Sequence, residues 1–276
     1  MAEIKAVDVS KLRKTTGAGM MDCKKALQEA NGDFDAAIEI IRKKGQAVAN
    51  KRADREASEG AVLAKINNEG NKGALVVLNC ETDFVAKNTD FVNFTESILN
   101  IALEKNPSNL NELKQLELNG KTIADQVVEQ IGVIGEKLEL AHYDKIEAES
   151  VIAYIHPGNK LATIVGFSKS DIDLQIKKDI AMQVAAMNPI AVDKDNVPKE
   201  VVDKELEIGR EQALQEGKPE NIVDKIAMGK LNKFFKENTL LNQAFIKEQK
   251  ISVKQYLEQA DKEIKITEFK RYSLNA

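Results

Sequence analysis

Few residues in this chain are equipped for covalent or metal chemistry. Cys23 and Cys80 are its only cysteines, and His142 and His156 its only histidines. The cysteines form no Cys-x-x-Cys pair, so the set does not read as a zinc site. A thiol enzyme would need a histidine beside its nucleophile, and neither cysteine has an obvious one. His156 lies in a His-Pro-Gly-Asn turn, with no carboxylate or cysteine at a fixed spacing, which makes it a poor acid–base catalyst. Gly17-Ala18-Gly19 invites a phosphate-loop reading. It lacks a preceding strand and a third glycine, and the competing reading is a tight turn between two helices, where glycine permits positive φ. The expectation is a protein with no catalytic residues, no metal and no cofactor.

The informative string is Leu78-Asn79-Cys80-Glu81-Thr82-Asp83-Phe84-Val85-Ala86-Lys87-Asn88. An apolar strand ends here and a helix begins, with Thr82 or Asp83 able to cap the free N–H groups. Phe84 and Val85 then occupy the first turn. From the residues alone, Phe84 is either a core aromatic or an exposed tip. Thr89-Asp90-Phe91-Val92 repeats the same four residues seven positions later. Only the first copy follows a strand. The second reads as the cap and anchor of the continuing helix.

The elements that would hold these residues follow from hydrophobic period. Three short helices cover residues 4–44, around Val7–Lys14, from Met20 to Ala30, and from Phe34, where Phe34, Ala37, Ile38 and Ile41 form a stripe behind an Asp33 cap. Residues 44–59 read as a polar linker with helical character. From Gly60 a hairpin forms, and a long helix places Phe91, Phe94, Ile98 and Ile101 on one side. Helices at Leu110–Leu116 and Ile123–Gly132 follow. Three strands (137–149, 150–156, 161–167) are expected to make a second small antiparallel sheet. Helices then cover 171–188, 198–216 and 219–236, the last two joined by Gly217-Lys218-Pro219 and so antiparallel. A helix near Val253–Ala260 and a strand over 263–272 close the chain. The fold class is α+β: an N-terminal three-helix bundle, a core of two small antiparallel sheets flanked by helices, and a helical hairpin. The expected domains are 1–55, 56–145, 146–189 with 237–276, and 190–236.

The net charge of −4 is unevenly spread. Residues 1–55 carry twelve basic and eight acidic side chains, leaving −8 on the remainder. The absence of a basic excess disfavours direct nucleic-acid binding, while a basic head on an acidic body fits an acidic protein partner. The apolar runs are too short to span a membrane. Isolated cysteines and the lack of a secretion signal point to the cytoplasm.

Leu12-Arg13-Lys14-Thr15-Thr16-Gly17-Ala18-Gly19-Met20-Met21-Asp22-Cys23-Lys24-Lys25-Ala26-Leu27 and Leu78–Asn88 resemble the two signatures of the elongation factor Ts family, and weaker resemblance covers nearly the whole chain. The resemblance implies a non-enzymatic guanine-nucleotide exchange factor for the GTPase elongation factor Tu. It implies that the N-terminal module, similar to ubiquitin-associated domains, docks on that GTPase and that Lys24 is a contact. It further implies that Thr82, Asp83, Phe84 and Val85 wedge into the partner and displace its magnesium ion. Ile134-Gly135-Glu136 and the His156 turn also resemble the family, where Ile134, Gly135 and His156 would lie near the nucleotide side. Ala181–Ala186 matches as well. The hairpin at 190–236 resembles a protrusion that some members use for homodimerisation. Many members continue beyond the final strand with a further helix that contacts the partner, and no such contact is carried over here. Two rival classes stand beside this reading: an adaptor acting through residues 1–55 alone, and an enzyme using Cys23 or Cys80.

Overall fold

The computed structural model describes residues 4–274. The outermost ends of the domain ranges 1–55 and 237–276 lie outside the described residues. The chain opens with helices α1 (Ala6–Thr16), α2 (Met20–Glu29) and α3 (Phe34–Arg52). Strands β1 (Glu59–Ile66) and β2 (Lys72–Cys80) follow, then helices α4 (Asp83–Ala86), α5 (Thr89–Lys105) and α6 (Leu110–Gln115). A two-residue hairpin, β3 (Glu117–Leu118) and β4 (Lys121–Thr122), leads into α7 (Ile123–Ile134). Strands β5 (Glu139–Glu147), β6 (Ser150–Ile155) and β7 (Leu161–Phe167) precede α8 (Leu174–Met187), α9 (Lys199–Gln215) and α10 (Glu220–Asn238). The last elements are β8 (Ala244–Phe245), β9 (Glu248–Ser252), α11 (Val253–Ala260) and β10 (Ile266–Ser273).

Two three-stranded antiparallel sheets, ordered β1-β2-β5 and β10-β7-β6, pack face to face. Val62, Leu75, Val77 and Ile146 of the first sheet meet Val151, Ala162 and Ile164 of the second. The opposite face of the first sheet, including Val76 and Leu78, packs on Phe91, Ile98 and Val127 of α5 and α7. The outer face of the second sheet, through Ile152, Val165 and Phe167, packs on Ile180, Val184 and Leu257 of α8 and α11. Strands covered on both faces need apolar side chains in both phases. This is why Ala74–Leu78 is a continuous apolar run and Ala162–Val165 is broken only by Thr163, whose hydroxyl donates to Ala181 O at 3.1 Å.

One strand assignment is corrected. β5 does not join the second sheet; it pairs with β2, with Val76 opposite Tyr143. The third strand of the second sheet is β10, against β7. Both pairings are made by long returns, so adjacency in sequence favoured the wrong partner for β5. The β3–β4 and β8–β9 hairpins have strands too short to show a period.

The helices α1 to α3 share a small core of Val9, Leu12, Cys23, Ala26, Leu27 and Ala37. Asp33 caps α3, accepting from Ala36 N–H at 2.9 Å. α3 continues to Arg52 through the segment expected to be a linker, and that segment is not idle. Val48 and Ala49 pack on the core of the first sheet. Gly45 of α3 meets Gly132 of α7 so closely that a Cβ on Gly132 would lie 2.6 Å from the Gly45 Cα. The missing Cβ of Gly132 lets the helix backbones approach this far, whereas a Cβ on Gly45 would meet the Gly132 Cα at an ordinary 3.5 Å.

α9 and α10 lie along each other, with the Gly209 backbone against Ala227 and Arg210 paired with Asp224 at 2.7 Å. No described helix is long and apolar enough to cross a membrane.

Candidate functional site

β2 carries the chain out of the core at Cys80, and Thr82 caps the one-turn helix α4 by accepting from Val85 N–H at 3.4 Å. Asp83 and Phe84 are the first two residues of that turn. Ala86 faces inward and Val85 leans on the core. Phe84 is left 82% exposed. Among the described residues it is the most exposed of the large hydrophobic side chains, and it stands at the end of a buried strand. Beside it, Asp83 pairs with Lys87 at 2.6 Å. The hydrogen bond from Lys87 holds the Asp83 carboxyl below its ordinary value, with Lys160 contributing charge.

The second copy of the tetrapeptide does something different. Asn88, not Thr89 or Asp90, caps α5, accepting from Asp90 N–H at 2.8 Å. The helix therefore starts one residue earlier in the repeat, and Phe91 turns inward. It is 2% exposed and sits among Ile98, Leu99 and Val127. The two phenylalanines share a motif but not an environment.

Other expected site residues converge on the same end of the first sheet. α7 ends at Ile134, which packs against the core, and Gly135 closes it with φ 80. The next residue, Glu136, reaches Thr82: its Oε1 accepts from the Thr82 hydroxyl at 2.7 Å and its Oε2 from Thr82 N–H at 3.0 Å. The His156 turn lies against the start of β1. Val62 N–H donates to Asn159 O at 2.7 Å, and Lys160 pairs with Glu59, which stands opposite Cys80 in the sheet, at 2.8 Å. His156 is exposed, and its Nδ1 lies 3.0 Å from the Tyr154 hydroxyl. Lys24 is on a separate element: it is exposed on α2, whose first turn also exposes Met20 and Met21.

Sequence reasoning missed the group that braces this end. Glu81 accepts from Lys137 N–H at 2.6 Å and from Arg52 at 2.7 and 2.9 Å, with Arg55 at 3.2 Å. Burial pulls the Glu81 carboxyl upward, but the hydrogen bonds from Lys137 and Arg52 outweigh it, and its pKa lies below the usual value. The available signal was modest: Glu81 and Glu136 directly adjoin Thr82 and Gly135.

The rival chemistries find no support in the geometry. Gly17, at φ 69, closes α1, and Gly19 is the N-cap of α2, so Gly-Ala-Gly is an inter-helix turn. Cys23 and Cys80 are both buried. Burial, reinforced by the Glu136 charge, pushes the Cys80 thiol up to about 12. A thiol so placed carries almost no thiolate at neutral pH.

Comparison with known proteins bears on the same residues. A family model described as Elongation factor TS matches residues 81–276. The chain is 55% identical over 270 residues to Elongation factor Ts of Porphyromonas gingivalis (strain ATCC 33277), covering 98% of this chain and 97% of that protein. It is 51% identical over 275 residues to Elongation factor Ts of Christiangramia forsetii, covering 99% and 100% of the two. Against Elongation factor Ts of Chlorobium phaeobacteroides, identity is 45% over 288 residues and coverage is 100% of both. With a family model across most of its length and relatives matched from end to end, the chain belongs to the elongation factor Ts family.

Proposed function

We propose that this chain is a guanine-nucleotide exchange factor that binds GDP-bound elongation factor Tu, displaces its magnesium ion and promotes GDP release during translation elongation in the cytoplasm. A P-loop GTPase holds GDP largely through phosphate contacts and Mg²⁺. A partner that binds the nucleotide-free form better must weaken nucleotide binding by the same factor. Such a partner needs no acid, base or nucleophile. It needs a rigid protrusion and enough grip to hold the distorted state.

The observation that carries the reading is Phe84, exposed at the end of a strand that is fixed on both faces. In this reading Thr82, Asp83, Phe84 and Val85 form the tip, which enters the crevice holding Mg²⁺. Ile134, Gly135 and His156 supply further contacts at the same end. Residues 1–55, a module similar to ubiquitin-associated domains, dock on the GTPase domain with Lys24 as a contact. Residues 56–145 carry the tip, and 146–189 with 237–276 form the second core unit. The protruding hairpin at 190–236 is the surface proposed for a homodimer. No direct nucleic-acid contact and no chemical step are assigned to the chain.

Linkage supplies the test. The dissociation constant of this chain is measured for elongation factor Tu without nucleotide and with saturating Mg²⁺·GDP. Tighter binding to the nucleotide-free form, with the complex dissociated by added GDP, is the expected result. Equal affinity for both forms would rule out exchange by this route.

A further inference from the structure

Ala86 and Val85 seat the back of the tip on the core, but its leading residues have little of their own to hold them. α4 is a single turn of four residues, too short to be stable alone. Phe84 faces water and so cannot anchor itself. The Thr82 cap contact to Val85 N–H, at 3.4 Å, is long. What fixes the direction of the tip must come from outside it.

Glu136 supplies that from the end of α7. Its Oε2 accepts from the N–H groups of Glu81 and Thr82 at 3.2 and 3.0 Å, and its Oε1 from the Thr82 hydroxyl at 2.7 Å. The hydroxyl proton is thereby turned toward Glu136, leaving an oxygen lone pair for Val85 N–H. Glu81 returns the contact by accepting from Lys137 N–H at 2.6 Å. Each carboxylate thus binds backbone N–H groups beside the other. The clasp is seated on two helices: Arg52 at the end of α3 holds Glu81, and the Gly45–Gly132 crossing holds α3 to α7.

We propose that Glu136 is the positioning residue of the exchange tip, setting the direction in which Phe84 projects from the junction of β2 and α4. This rests on the exchange function proposed above. Glu136 acts through Phe84 and is assigned no contact with the nucleotide.

The test is GDP release from elongation factor Tu, measured over a range of concentrations of the full chain. Glu136→Ala is compared with the parent chain and, separately, in a Phe84→Ala background. A misdirected tip should lower the maximal rate about 10- to 100-fold. The concentration giving half-maximal rate should stay nearly unchanged, because the other contacts remain. Glu136→Gln should recover most of the rate, since its amide oxygen still accepts from the backbone and its amide nitrogen can donate to the Thr82 oxygen. In the Phe84→Ala background, Glu136→Ala should cause no further loss. Thr82→Val removes the 2.7 Å contact together with the long cap contact to Val85 N–H, leaves both N–H contacts of Glu136 in place, and keeps the test readable if Glu136→Ala lowers the folded fraction. It should slow exchange about fivefold or more, again only when Phe84 is present.

An equal loss in both backgrounds, an unchanged maximal rate, or a loss confined to the half-maximal concentration would each overturn the positioning role. If the unmodified chain failed to accelerate GDP release, the exchange function itself would fall, and that outcome is distinct from an active chain indifferent to Glu136.

Discussion

Replacing Phe84 and Phe91 separately by alanine should produce opposite failures, although both lie in Thr-Asp-Phe-Val. Phe84 is 82% exposed, so only about a fifth of its surface is removed from water on folding. At about 25 cal/mol per Å² over a side chain of roughly 200 Å², its truncation costs on the order of 1 kcal/mol or less of stability. The same ring, buried in a partner crevice, would be a central aromatic anchor. Losing such an anchor costs about 2–4 kcal/mol, or roughly 30- to 1000-fold in exchange efficiency.

Phe91 is 2% exposed and fills the space between α5 and the first sheet. Phe91→Ala should cost about 3–5 kcal/mol through the cavity left behind. For a chain of this size, that lowers the melting temperature by about 6–20 °C. The exchange activity of the fraction still folded should be close to normal. The assay pairs melting curves with GDP-release rates for both variants at a temperature where both are folded. A Phe84→Ala chain that unfolds, together with a folded but inactive Phe91→Ala chain, would refute the reasoning and identify the second copy as the tip.

The helix crossing should be asymmetric: Gly132→Ala, whose Cβ would lie 2.6 Å from a backbone atom, should destabilise by about 1–3 kcal/mol. Gly45→Ala, whose Cβ would sit at an ordinary 3.5 Å, should be neutral or gain up to about 1 kcal/mol from helix propensity, as read by denaturant unfolding. Glu81 has a folded pKa below its ordinary value of 4.5, so its contribution is full above that value and is lost as pH falls through the folded pKa. The difference in melting temperature between the parent chain and Glu81→Gln should therefore be largest near pH 7, begin to shrink below pH 4.5 and close as pH falls through the folded pKa. Cys80, with its thiol near 12, should resist iodoacetamide at pH 8 until denaturant is added. Rapid alkylation of the native chain with loss of activity would revive a role for the thiol.

Elements with a local signal were legible in the sequence. α11 was placed at Val253–Ala260, and Ser252 and Gln255 at its start prove to be a capping box. β2 was legible as a buried apolar strand, and its cover on both faces explains why it does not alternate. The partner of β5 was not legible, since its pairing with β2 spans more than sixty residues and no turn sets the register. The brace at the tip was hidden for a similar reason. It joins carboxylates to backbone N–H groups 54 to 56 positions away, and backbone groups leave no mark on residue type. The packing of α3 on α7 brings together two isolated glycines that read, singly, as weak points in helices, and only Gly132 is held to glycine by the contact. The candidate tip itself was legible only as a choice between two copies. The cap, Thr82 in one and Asn88 in the other, decides which phenylalanine faces water.

In the function proposed above, this chain drives GDP off elongation factor Tu without chemistry of its own. The direct measurement is the rate of release of fluorescent GDP from elongation factor Tu in saturating Mg²⁺ and excess unlabelled nucleotide, with increasing concentrations of the purified chain. The expected rate rises steeply and saturates, with no phosphate released from GTP by the chain alone. An unchanged release rate, or hydrolysis of GTP by the chain in the absence of elongation factor Tu, would contradict it.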